Sequence, residues 1–522
     1  MSVTRSFRLA IFAAGWALLF GAVAQGQPPA PGPQAVPPTP LIPNARPVRS
    51  CESLAEISLP DTTIESAVVE GNVCRVTAFT THPPSNDRVT IWVAIPLTGW
   101  NGRFLGNGGG GFSGGSANAV NQPVTLGYAA GATDTGHEGG SGSFALNPDG
   151  RLNWQLIRDN AHVGIHEMTV TGKALTEALY GEPPRYSYFS GCSTGGRQAL
   201  MEAQRYPLDY DGIVAGAPAI NWTKLHMQQL WGPLQMNIEN HPVAPCKLAA
   251  ATAAAIAQCD MIDGVEDGIL ENPAACYYDP HALVGTTSGD CGTFMAADAD
   301  MIQRLWLGPR RQDGRFLWFG MPPGADLSAL SGSRGDPLQP QAMSITLDWF
   351  RYFLTQDPEF DWTSLTHSGY ERLWDQSVEQ YAMVIATDYA ILNAFRDRGG
   401  KAILWHGWAD QLITAYGTLD YYERVITVMG GEKDAAEFIR LFMAPGVAHC
   451  AGGNGPAPSG QLEALLAWVE EDEAPEMLPA TLRDQNGQVI RTRPLCPFPL
   501  VARYRGRGST DEAENFECND GF

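Results

Sequence analysis

A serine flanked by small residues stands where this chain could carry a nucleophile. Ser193 is the middle residue of a Gly-Cys-Ser-Thr-Gly run at 191–195. Gly-x-Ser-x-Gly between a strand and a helix is typical of the sharp turn that exposes a catalytic serine. The β-rich residues 186–190 predict the strand, and a helix is predicted from about 196 to 205. A glycine-rich helix start, as in a nucleotide-binding turn, is the alternative interpretation.

A nucleophilic serine needs a histidine base and a carboxylate that orients it. In strand-turn-helix hydrolases the chain order is Ser, then Asp or Glu, then His. His449 follows an apolar run at 441–446 on a glycine-flanked loop, and Asp410 follows another apolar run at 402–407. We therefore predict Ser193, Asp410 and His449 as the catalytic residues.

Three other histidines fit the base less well. His406 precedes Asp410, which is the wrong order, and it stands at a predicted strand end. His137 lies in a loop at a strand end, where it could line the site, and His166 falls on a helix face. For His137 and His166 we favour structural roles.

Hydrolysis through an acyl-enzyme also needs two preorganised amides for the oxyanion. One is predicted from Thr194, the residue after the nucleophile. The other is predicted from the glycine run 108–111, from Gly110 or its neighbour. Successive glycines cost conformational entropy, and close approach of backbone to substrate would explain that cost. A plain flexible turn is the alternative.

The chain has ten cysteines and no Cys-x-x-Cys motif, so zinc ribbons and thioredoxin chemistry have no support. An even count in an exported chain predicts five disulfides, and buried free thiols are the alternative. Cys192 directly precedes Ser193, and Cys450 directly follows His449. A disulfide between these two cysteines would tie the nucleophile to the base.

The N-terminus has the pattern of an export signal. A short basic region is followed by an apolar run from Leu9 to Ala24, which predicts a cleavable signal peptide over 1–24. Residues 25–48 form a proline-rich leader. The run is too short for a membrane span, and no second long apolar segment follows. We expect a secreted or periplasmic protein with no membrane association after cleavage.

Composition and periodicity predict the elements that position these residues. Of 522 residues, 44% are hydrophobic and 17% charged, and the net charge of −22 disfavours nucleic acid as a partner. Strands alternate with helices over 49–219 and again over 386–522, which predicts an α/β core with helices on both faces of a mostly parallel sheet. Residues 220–385 break this rhythm and are interpreted as an inserted lid domain.

These motifs resemble those of the tannase and feruloyl esterase family, which also contains hydrolases of terephthalate half-esters. The resemblance rests on the runs 191–196 and 406–410 and on the pair His449-Cys450, and it extends to 134–137 and 163–167. It implies an α/β-hydrolase core with a lid inserted after the nucleophile strand. It also implies a secreted serine ester hydrolase that acts on small-molecule esters of aromatic acids, with an acyl-enzyme on Ser193.

The resemblance further implies a structural calcium ion in the lid and no organic cofactor. Closely spaced aspartates in the run 259–269 form an oxygen-rich loop, which hard cations prefer. A solvated acidic turn is the alternative. By resemblance the ligands are the carboxylates of Asp260, Asp263 and Asp267 and the main-chain oxygens of Val265 and Ile269. Cys259–Cys276 would close this loop, and the remaining expected pairs are Cys51–Cys74, Cys496–Cys518 and, by elimination, Cys246–Cys291.

Three functions stay open at this point. The first is a feruloyl esterase or tannase type of aromatic-ester hydrolase. The second is an exported esterase of other acyl preference, including terephthalate half-esters, for which Arg351 is a candidate carboxylate partner. The third is a catalytically silent binding module on the same fold, against which the intact triad and glycine run argue. Aromatic residues of the predicted lid would suit a flat acyl group, or would build the lid's own core: Trp306, Trp318, Phe319, Trp349, Phe350, Tyr352, Phe353 and Trp362.

Overall fold

The computed structural model describes residues 36–287 and 289–520. The predicted signal peptide over 1–24 and the leader up to residue 35 lie outside these residues. The strands are β1 (Thr62–Glu70), β2 (Val73–Thr80), β3 (Val89–Pro96), β4 (Arg103–Asn107), β5 (Ala129–Thr133), β6 (Tyr186–Cys192), β7 (Gly212–Gly216), β8 (Ser333–Arg334), β9 (Gln339–Pro340), β10 (Lys401–Gly407), β11 (Ile439–Ala444), β12 (Ala457–Pro458), β13 (Leu478–Arg483), β14 (Val489–Leu495), β15 (Val501–Tyr504) and β16 (Phe516–Asn519).

The helices alternate with the central strands and dominate the middle of the chain. They are α1 (Asn121–Thr125), α2 (Trp154–Arg158), α3 (Gly164–Tyr180), α4 (Thr194–Arg205), α5 (Trp222–Ile238), α6 (Pro245–Cys259), α7 (Ala296–Leu307), α8 (Ser328–Ser331), α9 (Ser344–Asp348), α10 (His367–Ile385), α11 (Asn393–Asp397), α12 (Ala415–Val428), α13 (Glu432–Ala436) and α14 (Gln461–Glu471). A π-helical turn, Asp159–Val163, directly precedes α3. A second π-helical turn, Trp349–Leu354, directly follows α9.

A nine-stranded sheet organises the chain, in the order β1-β2-β3-β5-β4-β6-β7-β10-β11. The pairs β1-β2, β2-β3 and β3-β5 are antiparallel. The remaining five pairs are parallel. This confirms the predicted mostly parallel sheet. Because β6, β10 and β11 run the same way, the residues that follow them meet at one edge of the sheet.

Helices bury both faces of this sheet, as predicted. Apolar residues of α3, α4 and α12 pack in one cluster with β3, β7 and β11. Leu465, Leu466 and Trp468 of α14 pack in a second cluster with Tyr188 and Trp405 on the other face. Successive residues of one strand therefore serve opposite faces, as the pleat requires.

The long connection between β7 and β10, residues 217–400, is mainly helical. Its aromatic residues form a cluster that also contains Phe112 of the core, at the end of the glycine run. Trp349, Phe350 and Phe353 are completely buried there. These three side chains therefore build the interior of the connection and do not offer a surface to a ligand.

The prediction of disulfides is confirmed, and the structure contains five. They are Cys51–Cys74, Cys192–Cys450, Cys246–Cys291, Cys259–Cys276 and Cys496–Cys518. Among the described residues, no helix combines the length and the apolar character that a membrane crossing needs.

Candidate active site

Ser193 stands alone in the turn between β6, which ends at Cys192, and α4, which begins at Thr194. Its backbone has φ 63° and ψ −121°, a region that costs a non-glycine residue energy. Three backbone hydrogen bonds hold it there: the Ser193 amide donates to the Gly216 carbonyl at 2.9 Å, and the amides of Arg197 and Ala219 donate to the Ser193 carbonyl at 3.0 and 3.1 Å. The strained turn places the serine at the N-terminus of a buried helix.

The glycine before the nucleophile is required by space. A Cβ atom at Gly191 would lie 2.5 Å from the carbonyl carbon of Gly195. Any other residue would therefore push α4 away from β6. The glycines of the motif serve the tightness of the turn, as the sequence suggested.

His449 and Asp410 come together at the ends of β11 and β10. His449 Nδ1 donates to Asp410 Oδ2 at 2.7 Å, across 39 residues of sequence. The other carboxylate oxygen of Asp410 accepts the amides of Leu412 and Ile413 at 2.8 and 2.9 Å. This leaves His449 Nε2 as the ring nitrogen available to take a proton.

A second histidine also contacts the acid. His406 is fully buried, and its Nε2 lies 3.0 Å from Asp410 Oδ2, while its Nδ1 lies 2.8 Å from Thr418 Oγ1. Burial alone disfavours a charged Asp410, but the hydrogen bonds from His406 and His449 outweigh it and hold the pKa of Asp410 well below its usual range. His406 therefore helps to keep the acid ionised. From the sequence alone, His406 is only a competing candidate for the base.

The Cys192–Cys450 disulfide joins the loops of nucleophile and base. It connects residues 258 positions apart with a Cα–Cα distance of 6.0 Å. The amide of Ala409 also donates to the Val447 carbonyl at 3.0 Å, so the loops of acid and base are paired as well. Ser193, Asp410 and His449 thus lie on segments that are fastened to one another.

The glycine run 108–111 is hydrogen-bonded to the start of α4. Thr194 Oγ1 donates to the Gly111 carbonyl at 2.6 Å, and the Gly195 amide donates to the Gly109 carbonyl at 3.0 Å. The Gly110 amide is itself engaged, since it donates to the Ser113 carbonyl at 3.1 Å. Within 36–287 and 289–520, the amides of Thr194 and Gly111 have no acceptor. The available amide of the run therefore belongs to Gly111, the neighbour of the predicted Gly110, because the Gly110–Ser113 bridge consumes the other.

The other two candidate histidines, His137 and His166, stack on aromatic rings outside the three proposed catalytic residues. His166 on α3 pairs with Asp209 at 2.6 Å and stacks on Tyr206 with ring centroids 4.0 Å apart. His137 stacks on Phe144 at 3.9 Å, and burial lowers its pKa to about 4. A histidine that stays neutral at working pH and stacks on an aromatic ring fits the structural role favoured from the sequence.

The acidic loop after α6 lines a small cavity. Asp263, Val265, Asp267 and Ile269 face it in alternation, and so does Glu271, which sequence reasoning missed. Asp260 accepts the amides of Asp267, Gly268 and Ile269, at 3.0 to 3.3 Å, and so shapes the loop.

Charge in this cavity is only partly compensated. Arg493 pairs with Asp267 at 2.5 Å, and Arg491 lies 3.7 Å from the same carboxylate. Burial raises the pKa of Glu271 to about 8 and that of Asp263 to about 6. The cavity is lined by carboxylate and main-chain oxygens, and among its described carboxylates only Asp267 is paired with arginine, so the donor set fits Ca²⁺.

Loss of the Cys192–Cys450 disulfide is expected to impair catalysis strongly. In a Cys192→Ser/Cys450→Ser variant the loops of Ser193 and His449 are free to separate, and misplacement by about 1 Å can cost about 10²-fold in rate. We expect kcat/KM to fall by about that factor, measured at a temperature where far-ultraviolet circular dichroism shows the variant folded.

The matched control removes another disulfide by the same chemistry. Cys496 and Cys518 are 22 residues apart in the C-terminal part of the chain. Cys496→Ser/Cys518→Ser is expected to lower stability but to keep kcat/KM within a few-fold of the wild type. Equal losses of activity in the two double variants would show that Cys192–Cys450 has no special part in positioning the site.

Comparisons with known proteins agree on one family. The family model described as "Tannase and feruloyl esterase" matches residues 74–519. A probable feruloyl esterase of Arthroderma benhamiae is 39% identical over 479 residues, covering 89% of this chain and 88% of that protein. The mono(2-hydroxyethyl) terephthalate hydrolase of Piscinibacter sakaiensis is 32% identical over 528 residues, covering 87% and 85%. The crystal structure of feruloyl esterase B from Aspergillus oryzae superposes with a TM-score of 0.78 at 26% identity, covering 90% of this chain and 99% of that one.

Proposed function

Because the chain belongs to the tannase and feruloyl esterase family and is a carboxylic ester hydrolase, we propose that it hydrolyses esters of aromatic acids through an acyl-enzyme on Ser193. The observation that carries the proposal is the hydrogen bond from His449 to the buried Asp410, on a loop joined by Cys192–Cys450 to the strained turn of Ser193. Together these features supply a base, its orienting acid and a preorganised nucleophile.

The reaction follows from the roles of these groups. His449 Nε2 takes the proton of Ser193 Oγ as this oxygen attacks the ester carbonyl, and the amides of Thr194 and Gly111 hold the oxyanion. His449 then gives the proton to the departing alkoxide, which leaves as an alcohol. Water, deprotonated by His449, attacks the acyl-enzyme, and the acid is released with Ser193 restored. Asp410 stays ionised throughout and stabilises the imidazolium.

Aromatic side chains beside the acid support an aromatic acyl group. Phe319 of the β7–β10 connection and Tyr416, six residues after Asp410, are half-buried, and their ring centroids lie 5.9 Å apart. A flat acyl group gains from stacking on such surfaces. We propose that this connection acts as the lid of the site and contributes Phe319.

A panel of methyl esters tests the acyl preference. We expect kcat/KM for methyl ferulate or methyl gallate to exceed that for an aliphatic methyl ester of similar size by at least about tenfold, the effect of ~1.4 kcal/mol of stacking. Equal rates on aromatic and aliphatic esters would overturn the proposed acyl preference while leaving the esterase activity intact.

Terephthalate half-esters are the second candidate substrate. Arg351 has a buried Nε–H without a hydrogen-bond partner in the described part of the chain, so it has a donor to offer to a carboxylate. If it does, Arg351→Gln lowers kcat/KM for a terephthalate half-ester and leaves methyl ferulate hydrolysis unchanged. Parallel changes on both substrates would argue against this role.

We further propose a calcium ion in the cavity of the acidic loop. Its ligands would be the carboxylates of Asp263 and Asp267 and the main-chain oxygens of Val265 and Ile269, with Glu271 beside them. The carboxylate of Asp260, a further ligand by resemblance, accepts the amides of Asp267, Gly268 and Ile269 and would have to give up part of these bonds. The ion would balance the uncompensated charge and order the loop. The Gly268 carbonyl accepts from Asn454 Nδ2 at 2.6 Å, so this order would extend to the segment that carries His449.

Chelation of calcium is expected to lower the melting temperature. An ion bound at about 100 times its dissociation constant stabilises the folded state by about 2.7 kcal/mol, which for a chain of this size corresponds to roughly 3 °C. We expect EGTA to cause this shift and Ca²⁺, but not Mg²⁺, to reverse it. Asp263→Asn should remove the response, and the exposed Asp149→Asn should keep it. An identical melting curve with and without EGTA would contradict a stabilising ion.

We propose that the protein is exported and functions outside the cytoplasm. Five disulfides support an oxidising compartment, and the predicted signal peptide supplies the route. N-terminal sequencing of the exported protein is expected to begin at Gln25; a protein that keeps Met1 and stays in the cytoplasm would contradict export.

A further inference from the structure

A second cluster of metal-ligating side chains lies at the base of α3. His82, in the loop between β2 and β3, has Nδ1 2.6 Å from Asp87 Oδ2 and Nε2 2.6 Å from Glu167 Oε1. Asp159, the first residue of the π-helical turn, places a carboxylate oxygen 3.8 Å from the same Nδ1. Donor atoms of His82, Asp87 and Asp159 all lie within 4.8 Å of one another. Two segments of the chain thus meet at one imidazole, the β2–β3 loop with His82 and Asp87 and the helical stretch with Asp159 and Glu167.

Neighbouring groups hold the carboxylates of the cluster in place. The His82 amide donates to Asp87 Oδ1 at 3.1 Å, and Gln155 Nε2 donates to Asp159 Oδ1 at 2.8 Å. Thr80 Oγ1 donates to Oε2 of Glu167, and the other oxygen of this carboxylate, Oε1, faces His82 Nε2. A carboxylate on Nε2–H is the arrangement that fixes the tautomer of a metal-binding histidine and leaves Nδ1 as the ligand.

One oxygen of the Asp159 carboxylate, beside the oxygen that faces His82, has no hydrogen-bond partner among the described residues. Asp159 is completely buried, and its Oδ2 has no hydrogen bond to any described residue. Such an oxygen needs a proton or a cation.

We propose that His82 Nδ1 and the carboxylates of Asp87 and Asp159 bind a divalent first-row transition cation such as Zn²⁺. Imidazole nitrogen suits zinc and its neighbours better than calcium, whose ligands are oxygens. Two directly bound carboxylates neutralise the ion, and Glu167 orients the imidazole. The site is separate from the acidic loop at 259–271 and shares no residue with the catalytic groups.

The cation would brace the scaffold behind the oxyanion amides. Asp159 opens the turn whose Asn160 and Ala161 carbonyls accept from Arg197 of α4 at 3.2 and 2.9 Å. Asn160 Nδ2 also donates to the carbonyl of Phe112, which follows the glycine run, at 2.8 Å. Fixing Asp159 therefore fixes a turn that touches both parts of the oxyanion site.

Zinc binding to the full-length protein tests the proposal. After EDTA treatment the protein is returned to excess Ca²⁺, which keeps the acidic loop occupied, and is titrated with ZnCl₂ against a colorimetric zinc chelator. We expect one equivalent bound by the wild type. We expect His82→Gln and Asp159→Asn to lose that equivalent, and Glu167→Gln to bind it ~10–100-fold more weakly.

The control is another histidine between two aspartates, exposed at the surface. His281 lies 2.7 Å from Asp279 and 3.0 Å from Asp300. His281→Gln should bind zinc as the wild type does. No stoichiometric zinc in the wild type, or unchanged binding in His82→Gln, overturns the proposal in favour of a protonated His82 bridging the carboxylates.

X-ray absorption of the zinc-loaded wild type decides the matter if a variant fails to fold. One imidazole and a shell of oxygens at about 2.0–2.2 Å support the site. A shell without imidazole, or with two, overturns it. None of these readouts depends on ester hydrolysis, so they stand or fall apart from the proposed function.

Discussion

Replacing Ser193 by alanine is expected to abolish ester hydrolysis while the protein stays folded. Without Oγ no acyl-enzyme can form, and the remaining groups act only on bound substrate and water. The loss of kcat in comparable serine hydrolases is about 10⁶-fold. The Cβ of alanine fits the same φ of 63° that serine adopts, so we expect an unchanged far-ultraviolet circular dichroism spectrum. Steady-state kinetics on methyl ferulate and a fluorophosphonate label measure the two consequences, lost turnover and lost labelling.

Ser190 offers a matched control three residues earlier on β6. Ser190→Ala should keep activity within about twofold, the range of a neutral substitution, and should still be labelled. Labelling or near-normal turnover in Ser193→Ala would place the nucleophile elsewhere and remove the basis of the proposed mechanism. It would also revive the interpretation of this fold as a silent binding module.

The elements around the nucleophile were predictable because their signals are local. The strand predicted at 186–190 is β6, and the helix predicted from about 196 begins at Thr194. Buried parallel strands such as β7 and β10 appear as unbroken apolar runs. Ser193, Asp410 and His449 follow the ends of β6, β10 and β11, which are parallel strands, and their order along the chain is the order of these strands.

The antiparallel hairpin at one edge of the sheet is not among the strands that the sequence predicts. β1 and β2 form a hairpin at the edge of the sheet, and β2 alternates between buried and half-buried residues over its whole length. That period-2 pattern is present in the sequence but is weaker than an apolar run. The small sheets of β12 to β16 are not predicted either. Few of their residues are fully buried, so their sequences contain no apolar run that would indicate a strand.

Features that depend on distant segments could not be read from spacing. His82 meets Glu167 across 85 residues, and Arg493 meets Asp267 across 226. The role of His406 at Asp410 depends on the turn that brings both side chains inward. The Gly110 amide is unavailable to a substrate because it donates a hydrogen bond to the Ser113 carbonyl. A run of glycines in the sequence does not reveal such a bond.

Substitution of Asp410 by asparagine is expected to lower kcat by about 10⁴-fold with little change in KM. Asparagine keeps the shape of the site, and one side-chain oxygen can still accept the amides of Leu412 and Ile413. Its NH₂ group would face His449 Nδ1 or His406 Nε2, however, and a donor facing Nδ1 stabilises the tautomer whose Nε2 carries the proton. That tautomer cannot deprotonate Ser193, so chemistry slows while binding persists. Asp420→Asn on α12, which removes only the surface pair with Arg424, should keep full activity. Turnover within tenfold of the wild type in Asp410→Asn would show that another group orients His449.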